Sequence, residues 1–338
     1  MNQNSFLWIY IYPMMFMSPI LLMSMNSWFS MWMIMEMNMM TFIPLIMNLN
    51  KFYKEMTMKY FIIQSFSSSM LMFSLIFFFN ESLNMNNKFL LLMNIISMLS
   101  LLIKIGSVPF HYWYINLMNN MNWVSCLMLS SWQKIIPLMM LMNLMNFKMI
   151  MFFSLINCLI SAIFGLNHQS IRLIFCYSSM NHLSWILLNL LINELLLLLY
   201  FLSYFIINMS IMLILNKFNL YYINQLYMFN NKYFKIFMIM NLISISGLPP
   251  MFGFLMKWYS MYMMIMNNMM FMIFILLMMS ILTFIFYSKL MISIMLKSSI
   301  NNKIFIMMKF ISKISLKLKL NLIFLFFMNL WFMSMWLF

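Results

Sequence analysis

Residues 236–259 read IFMIMNLISISGLPPMFGFLMKWY. The stretch is long enough to cross the hydrocarbon core of a bilayer, for which a helix needs about 20 apolar residues. Its middle, however, holds Gly247, Pro249, Pro250 and Gly253. Proline removes a helical hydrogen bond and clashes with the preceding turn, so the stretch reads as a helix broken midway. In lipid the freed backbone groups must find partners inside the protein or in water. A second apolar stretch, 89–110, has the same character: it contains Lys104-Ile105-Gly106-Ser107-Val108-Pro109. Three of the chain's four glycines lie in these two segments.

Working outward, the long apolar runs predict about eleven spans, near 5–25, 27–48, 60–79, 89–110, 123–145, 149–167, 171–191, 195–215, 236–259, 265–290 and 320–338. The broken spans are the fourth and the ninth. They are five apart, and an odd offset makes the second copy enter from the opposite side. Broken helices in matching positions mark transporters built from inverted repeats; two ordinary proline kinks are the alternative. The expected fold is therefore all-α and polytopic, a single membrane domain of two inverted five-helix repeats. These run from about 5 to 145 and from about 149 to 290. An amphipathic segment at 297–319 lies on the membrane surface, its lysines spaced near four. A last helix follows at 320–338.

Composition supports lipid as the main solvent. The 338 residues are 66% hydrophobic and 7% charged, against about 25% charged in an ordinary soluble domain. A β-barrel would alternate and turn every ten or so residues, which these unbroken runs do not. The 53 methionines and 37 phenylalanines come with no Asp, one alanine (Ala162) and one arginine (Arg172). That bias fits A/T-rich codons and a code in which ATA reads as Met, as in animal mitochondria; methionine as a flexible core filler is the alternative. The opening Met1-Asn2-Gln3-Asn4 has neither the positive region nor the cleavage site of a targeting peptide. Cys126, Cys158 and Cys176 form no CxxC pair, so neither disulfide nor metal is expected. No nucleotide-binding glycine loop is present. The net charge of +15 does not point to nucleic acid, because the lysines sit between apolar helices.

Those lysines set topology. Lys51, Lys54, Lys59, Arg172, Lys217, Lys232, Lys235, Lys289 and the lysines of 297–319 follow even-numbered spans; only Lys88 and Lys148 follow odd ones. Under the positive-inside rule the N-terminus faces the inner compartment and the C-terminus the outer, which in a mitochondrion are the matrix and the intermembrane space.

Ionisable residues deep in a bilayer are costly and usually functional. Glu36 lies mid-span in WMIMEMNMM, Lys104 precedes the first break, Lys134 lies near the centre of the fifth span, and Lys257 follows the second break. Burial disfavours the charged form of a lysine and a nearby carboxylate favours it. A carboxylate and three lysines in a line would thus let protonation answer a neighbouring charge, as a proton relay requires. A structural Glu–Lys pair with two snorkelling lysines is the alternative, and Lys257, near a helix end, is the readiest snorkeller. His182, among Ser178, Ser179 and Asn181, is a secondary proton carrier. His111 reads equally as an interfacial histidine, His168 as a loop residue. Arg172 reads first as a topology anchor, Glu55 and Glu81 as solvated loop residues, and Glu194 as the start of a helix whose dipole favours it.

Five blocks resemble a known family. WMIMEMNMMTFIPL (32–45), KIGSVPFHYW (104–113), WQKIIP (132–137), GLNHQSIRLIFCYSSMNHLSW (165–185) and GLPPMFGFLMKW (247–258) are similar, in order, to the signatures of the subunit 2 family of mitochondrial NADH–ubiquinone oxidoreductase (respiratory complex I). That family belongs to the wider antiporter-like proteins; length and the WQK block favour subunit 2 over the longer subunits 4 and 5. The final eighty or so residues add only hydropathy. The resemblance implies an antiporter-like fold with a shortened N-terminus and places Glu36, Lys104, Lys134 and Lys257 on the family's central hydrophilic axis. It implies that NADH, FMN, iron–sulfur clusters and ubiquinone act in other subunits. Expected partners are those subunits, a neighbouring antiporter-like one among them, and lipids such as cardiolipin. In one departure, Leu173 stands where the family often has a lysine.

Three functions compete. The first is a proton-translocating core subunit of complex I in the mitochondrial inner membrane. The second is a stand-alone cation/proton antiporter. The third is a structural subunit whose buried charges only set helix register.

Overall fold

The computed structural model describes residues 10–47, 53–79, 87–144, 146–227 and 232–296. The expected surface segment at 297–319, the last helix at 320–338, Lys51, Glu81 and the first nine residues lie outside these. Among the described residues the regular structure is helical, with one isolated bridge between Ser170 and Tyr222.

In chain order the helices are α1 (Tyr12–Ser24), α2 (Trp28–Met47), α3 (Tyr53–Phe79), α4 (Asn87–Ile105) and α5 (Tyr112–Asn120). Next, α6 (Trp123–Leu127) runs through one π turn (Met128–Trp132) into α7 (Gln133–Asn143). Then come α8 (Phe147–Gly165), α9 (Ile171–Ile192), α10 (Glu194–Phe218) and the short α11 (Ile223–Leu226). The series closes with α12 (Lys232–Ser246), α13 (Phe252–Met266) and α14 (Met270–Met295). Seven spans among the described residues are long and apolar enough to cross a membrane. Buried serines within the helices return their hydroxyls to the carbonyl three residues earlier. Ser67 bonds Gln64, Ser74 bonds Leu71 and Ser178 bonds Phe175, each at 2.8 Å. Such local bonds let polar side chains sit in an apolar interior without an unmet donor.

The chain divides into two compact units: the described residues of Met1–Ser161 with Phe175–Glu194, and those of Ala162–Ile174 with Leu195–Phe338. In the first, α3 lies along α2 and α4, α1 packs on α2 and α7, and α7 also touches α2 and α4. In the second, α12 packs on α13 and α14, and α11 and α13 pack on α14.

Each unit contains one of the breaks, and the two are built alike. Gly106 has φ +76° and Gly247 φ +79°, the left-handed region that only glycine enters freely. The Gly106 N–H bonds the Ile103 carbonyl and the Ser107 N–H the Leu102 carbonyl, both at 3.1 Å. Likewise Gly247 bonds Ser244 at 3.2 Å and Leu248 bonds Ile243 at 3.3 Å. Both are Schellman closures, which satisfy the carbonyls orphaned at a helix end. Side chains take the rest. Trp113 Nε1 donates to Ile103 O at 3.2 Å, Gln64 Nε2 to Lys104 O at 3.4 Å, and Lys257 Nζ to Ser246 O at 2.9 Å. Val108-Pro109 and Pro249-Pro250 are cis peptides.

The structure corrects several sequence expectations. The fourth span stops at Ile105, not 110, and the ninth is two helices, Lys232–Ser246 and Phe252–Met266. Length and apolarity alone therefore do not establish eleven spans. The third helix starts at Tyr53, so Lys54, Glu55 and Lys59 stand exposed on helical turns, not in a loop. Polar residues can continue a helix once it has left the lipid, because water then solvates their side chains. Lys148 and Lys235 sit on end turns of helices for the same reason.

Gly253 is where α13 meets α12. A Cβ there would lie 1.8 Å from the Ser244 carbonyl oxygen, so Gly253→Ala must push two backbones apart. Gly106→Ala meets Tyr114 Cβ at 3.0 Å and adds a left-handed penalty of roughly 1–2 kcal/mol. Thermal denaturation in native membranes should show the larger loss for Gly253→Ala; a loss no greater than that of Gly106→Ala contradicts this packing.

Candidate functional site

The first break exposes the end of α4 inside the first unit, and Lys104 sits on its last turn. A cation there complements the negative end of the helix dipole. Its ammonium is 3.8 Å from Glu36 Oε1, with side-chain exposures of 7% and 21%. It also lies 3.8 Å from the thioether sulfur of Met35. Glu36 thus has a cation within ion-pair reach, though its Oε1 accepts no hydrogen bond among the described residues.

A cavity of about 30 Å³ opens beside Lys104. Its wall includes Tyr60, Gln64, Gln133, Asn38 and Lys134. A water occupies roughly 10–15 Å³ on this measure, so the space suits about two. Lys134 is 2% exposed, and its Nζ has no hydrogen-bond acceptor among the described residues. It stands 4.4 Å from the centroid of the Tyr114 ring, a cation–π arrangement. The Tyr114 hydroxyl and Ser179 Oγ are 2.6 Å apart. His182 follows Ser179 by one turn of α9 and is buried.

The π turn at Met128–Trp132 sits directly before Gln133 and Lys134. π turns are uncommon and favour functional sites. Here Ser130 and Ser131 both donate to the Leu127 carbonyl, at 3.2 and 2.5 Å. Gln133 then faces Asn38 of α2. Asn38 Nδ2 donates to Gln133 Oε1 at 2.9 Å, and Gln133 Nε2 returns a bond to Asn38 Oδ1 at 3.3 Å. Tyr60 and Ser18 hydroxyls add longer bonds to the same two oxygens, 3.5 and 3.4 Å. The break itself is tied to α8, where Asn157 Oδ1 accepts from the Val108 N–H at 2.6 Å.

Of the residues the sequence singled out, Lys104 and Lys134 line one cavity and Glu36 pairs with Lys104; Tyr114, beside Lys134, bonds Ser179, which lies one turn before His182. Lys257 belongs to the second unit. It does not snorkel: it is 6% exposed and folds back over Gly247, whose added Cβ would meet Lys257 Cδ at 2.7 Å. A freed helix carbonyl is a nearer partner than the membrane surface. His111 bonds the Pro109 carbonyl at 3.1 Å, and Arg172 stacks over Tyr221 at 4.5 Å. His168 lies in the loop after α8, where burial lowers its pKa. The three cysteines are buried and none is joined in a disulfide among the described residues. No group of three His, Cys, Asp or Glu suited to a metal occurs among the described residues. The amide pair, Gln64, Tyr114 and Asn157 were not foreseen. A glutamine inside an apolar run, as Gln64 is in FIIQSF, was the available signal.

The amide pair makes a testable claim. Gln133→Leu alone leaves a buried Asn38 amide unmatched, at a cost of about 1–3 kcal/mol. Replacing both by leucine should cost less than the sum of the single changes in a thermal double-mutant cycle; strict additivity would mean the two do not interact.

The sequence pattern described as NADH:quinone oxidoreductase/Mrp antiporter, transmembrane, matches residues 25–283. NADH-ubiquinone oxidoreductase chain 2 of Anopheles gambiae is 39% identical over 298 residues, covering 83% of this chain and 86% of its own. That of Locusta migratoria is 37% identical over 276 residues, covering 80% and 79%. Respiratory complex I from Thermus thermophilus with bound Aureothin holds a chain of similar fold, with a TM-score of 0.71 at 16% identity. The match covers 78% of this chain and 64% of that longer one. The Mrp complex from Dietzia sp. gives 0.72 at 16% identity, over 79% of this chain and 57% of that one. At such identities the likeness shows the fold alone. Taken with the family pattern and the insect relatives, it is the fold of a membrane family to which this chain belongs: the NADH-ubiquinone oxidoreductase chain 2 family of the NADH:quinone oxidoreductase/Mrp antiporter proteins.

Proposed function

We propose that this chain is a core membrane subunit of respiratory complex I that helps move protons across the mitochondrial inner membrane. NADH oxidation and ubiquinone reduction belong to other subunits, and a neighbouring antiporter-like subunit is the expected partner. The reading includes two inverted repeats, about 5–145 and 149–290, an N-terminus on the matrix side and a C-terminus on the intermembrane-space side. The relatives' shared name and the codon bias support complex and compartment. The Gly106 and Gly247 closures support the repeat.

One observation carries the reading: a Glu36–Lys104 ion pair and a buried Lys134, which has no hydrogen-bond acceptor among the described residues, with a small cavity that both lysines line. At 3.8 Å an ion pair is worth about 4 kcal/mol at an effective dielectric near 20. Making or breaking it therefore alters how firmly Lys104 holds its proton. When the pair opens, that proton has a short route through the space beside Gln64 and Gln133 to the Lys134 amine. Tyr114, Ser179 and His182 continue the route. Lys257, bonded to the Ser246 carbonyl, has the corresponding duty at the second break. Protons enter from the matrix and leave on the outer side.

Lys134→Met keeps the apolar bulk but cannot carry a proton. Complex holding this variant should assemble and oxidise NADH while moving fewer protons per electron in sealed vesicles. An unchanged ratio contradicts the relay. Reduced assembly with an unchanged ratio would favour a purely structural subunit.

A further inference from the structure

The two breaks differ at one backbone position. Gly106 and Gly247 align by their left-handed φ, and Ser107 and Leu248 by the bond each returns to its own helix. The residues that follow are Val108 and Pro249, then Pro109 and Pro250. Pro249 has no N–H to satisfy. Val108 keeps its N–H, and the residue is fully buried. Asn157 of α8 supplies the acceptor, its Oδ1 standing 2.6 Å from Val108 N. The first break is thus tied to another helix by a bond for which the second has no donor.

Packing alone does not account for Asn157. The residue is 0% exposed, and its Nδ2 has no hydrogen-bond acceptor among the described residues. A buried amide donor without a partner is destabilising, so a leucine would fill the space with less to desolvate. What the amide supplies is its oxygen. Beyond the bond lies the turn that carries Lys104. The Gly106 N–H bonds Ile103 O and the Ser107 N–H bonds Leu102 O, both at 3.1 Å, and Ser107 Oγ also reaches Leu102 O at 3.1 Å. The loop and the last turn of α4 are therefore clasped into one piece, and Lys104 belongs to that turn. On the next residue of α8, Cys158 Sγ donates to Asn181 Oδ1 at 3.4 Å, one residue before His182. One short segment of α8 thus contacts the first break and the helix that carries His182.

We propose that Asn157 is a positioning residue of the proton relay: through the Val108 N–H it holds the Lys104 turn where the ammonium meets Glu36. The proposal rests on the relay reading above. Asn157 acts on the loop, not on the proton. A loop released from α8 keeps its Schellman closure, so the helix end stays intact. The separation of Lys104 from Glu36 is then no longer set from α8. Misplacing a reacting group by about 1 Å is enough to slow a reaction roughly a hundredfold, so a modest drift of this turn suffices to impair transfer.

Holding the loop and satisfying a donor are separable by mutation. Asn157→Leu removes the tether and strands the Val108 N–H. Adding Val108→Pro removes that donor, as Pro249 does at the second break, and leaves only the lost tether. Complex with each variant is compared for yield and for protons moved per electron in sealed vesicles. Electron cryomicroscopy gives the Lys104 Nζ to Glu36 Oε1 separation. The double variant should regain the assembled complex that Asn157→Leu loses. Its separation should still exceed 3.8 Å, and its proton ratio should fall toward that of Lys134→Met. A wild-type ratio in the double variant overturns the proposal, because satisfying the donor would then be all that Asn157 does. An unchanged separation overturns it too. If the double variant does not assemble, Asn157→Ala decides: the space it opens lets a water meet the Val108 N–H without tying it to α8. The same wider separation and lower ratio are expected there, and wild-type values overturn the proposal. Lys134→Met in the same vesicles keeps the two readings apart. A ratio lowered by Lys134→Met but not by the Asn157 variants overturns this proposal alone. A ratio lowered by neither removes the relay and this proposal with it.

Discussion

A polar group removed from water must be matched from within the protein, and the structure is organised around that demand. In lipid the cost of an unmatched backbone group is several kcal/mol. A helix broken in mid-membrane is tolerated only where its loose ends are closed. Both breaks meet this in the same way, with a left-handed glycine, a pair of backbone closures and side-chain donors from elsewhere in the unit. They differ in what the local lysine does. Lys104 points its charge at Glu36, while Lys257 spends its own on the backbone. The first break therefore sets its lysine beside a carboxylate, and the second sets its lysine on a freed helix carbonyl.

The same demand explains the polar track of the first unit. The Asn38–Gln133 pair satisfies two amides that neither helix satisfies alone, and in doing so it fixes α2 against the segment that carries Lys134. The π turn before Gln133 re-aims that segment relative to a continuous α-helix. Lys134 ends up beside an aromatic face and a small cavity, with no acceptor among the described residues. Lys134 is thus packed against a ring and a cavity, not closed in an ion pair among the described residues.

Much of this was legible in the sequence. Charges inside apolar runs stand out because hydropathy leaves them no cover, which is why Glu36, Lys104 and Lys134 could be named. Gly106 and Gly247 were legible because a chain with so few glycines places them where backbone geometry needs them. The amide network was not legible. Codon bias scatters asparagines through most loops and spans, so Asn38 and Asn157 carry no signal above that background. The alternative of a snorkelling Lys257 fails because sequence distance from a helix end says nothing of a carbonyl freed eleven residues earlier. The start of α3 was placed too late because polar residues mark the end of lipid, not the end of a helix.

The central claim is that Glu36 and Lys134 act as one relay through the intervening cavity. Groups that act as a unit are non-additive: once one is lost, losing the other changes little. The decisive measurement is protons moved per electron in sealed vesicles holding complex with Glu36→Gln, Lys134→Met and the two combined. The account predicts that the double variant matches the more impaired single one. A double variant in which the two losses multiply would show two independent sites and contradict it.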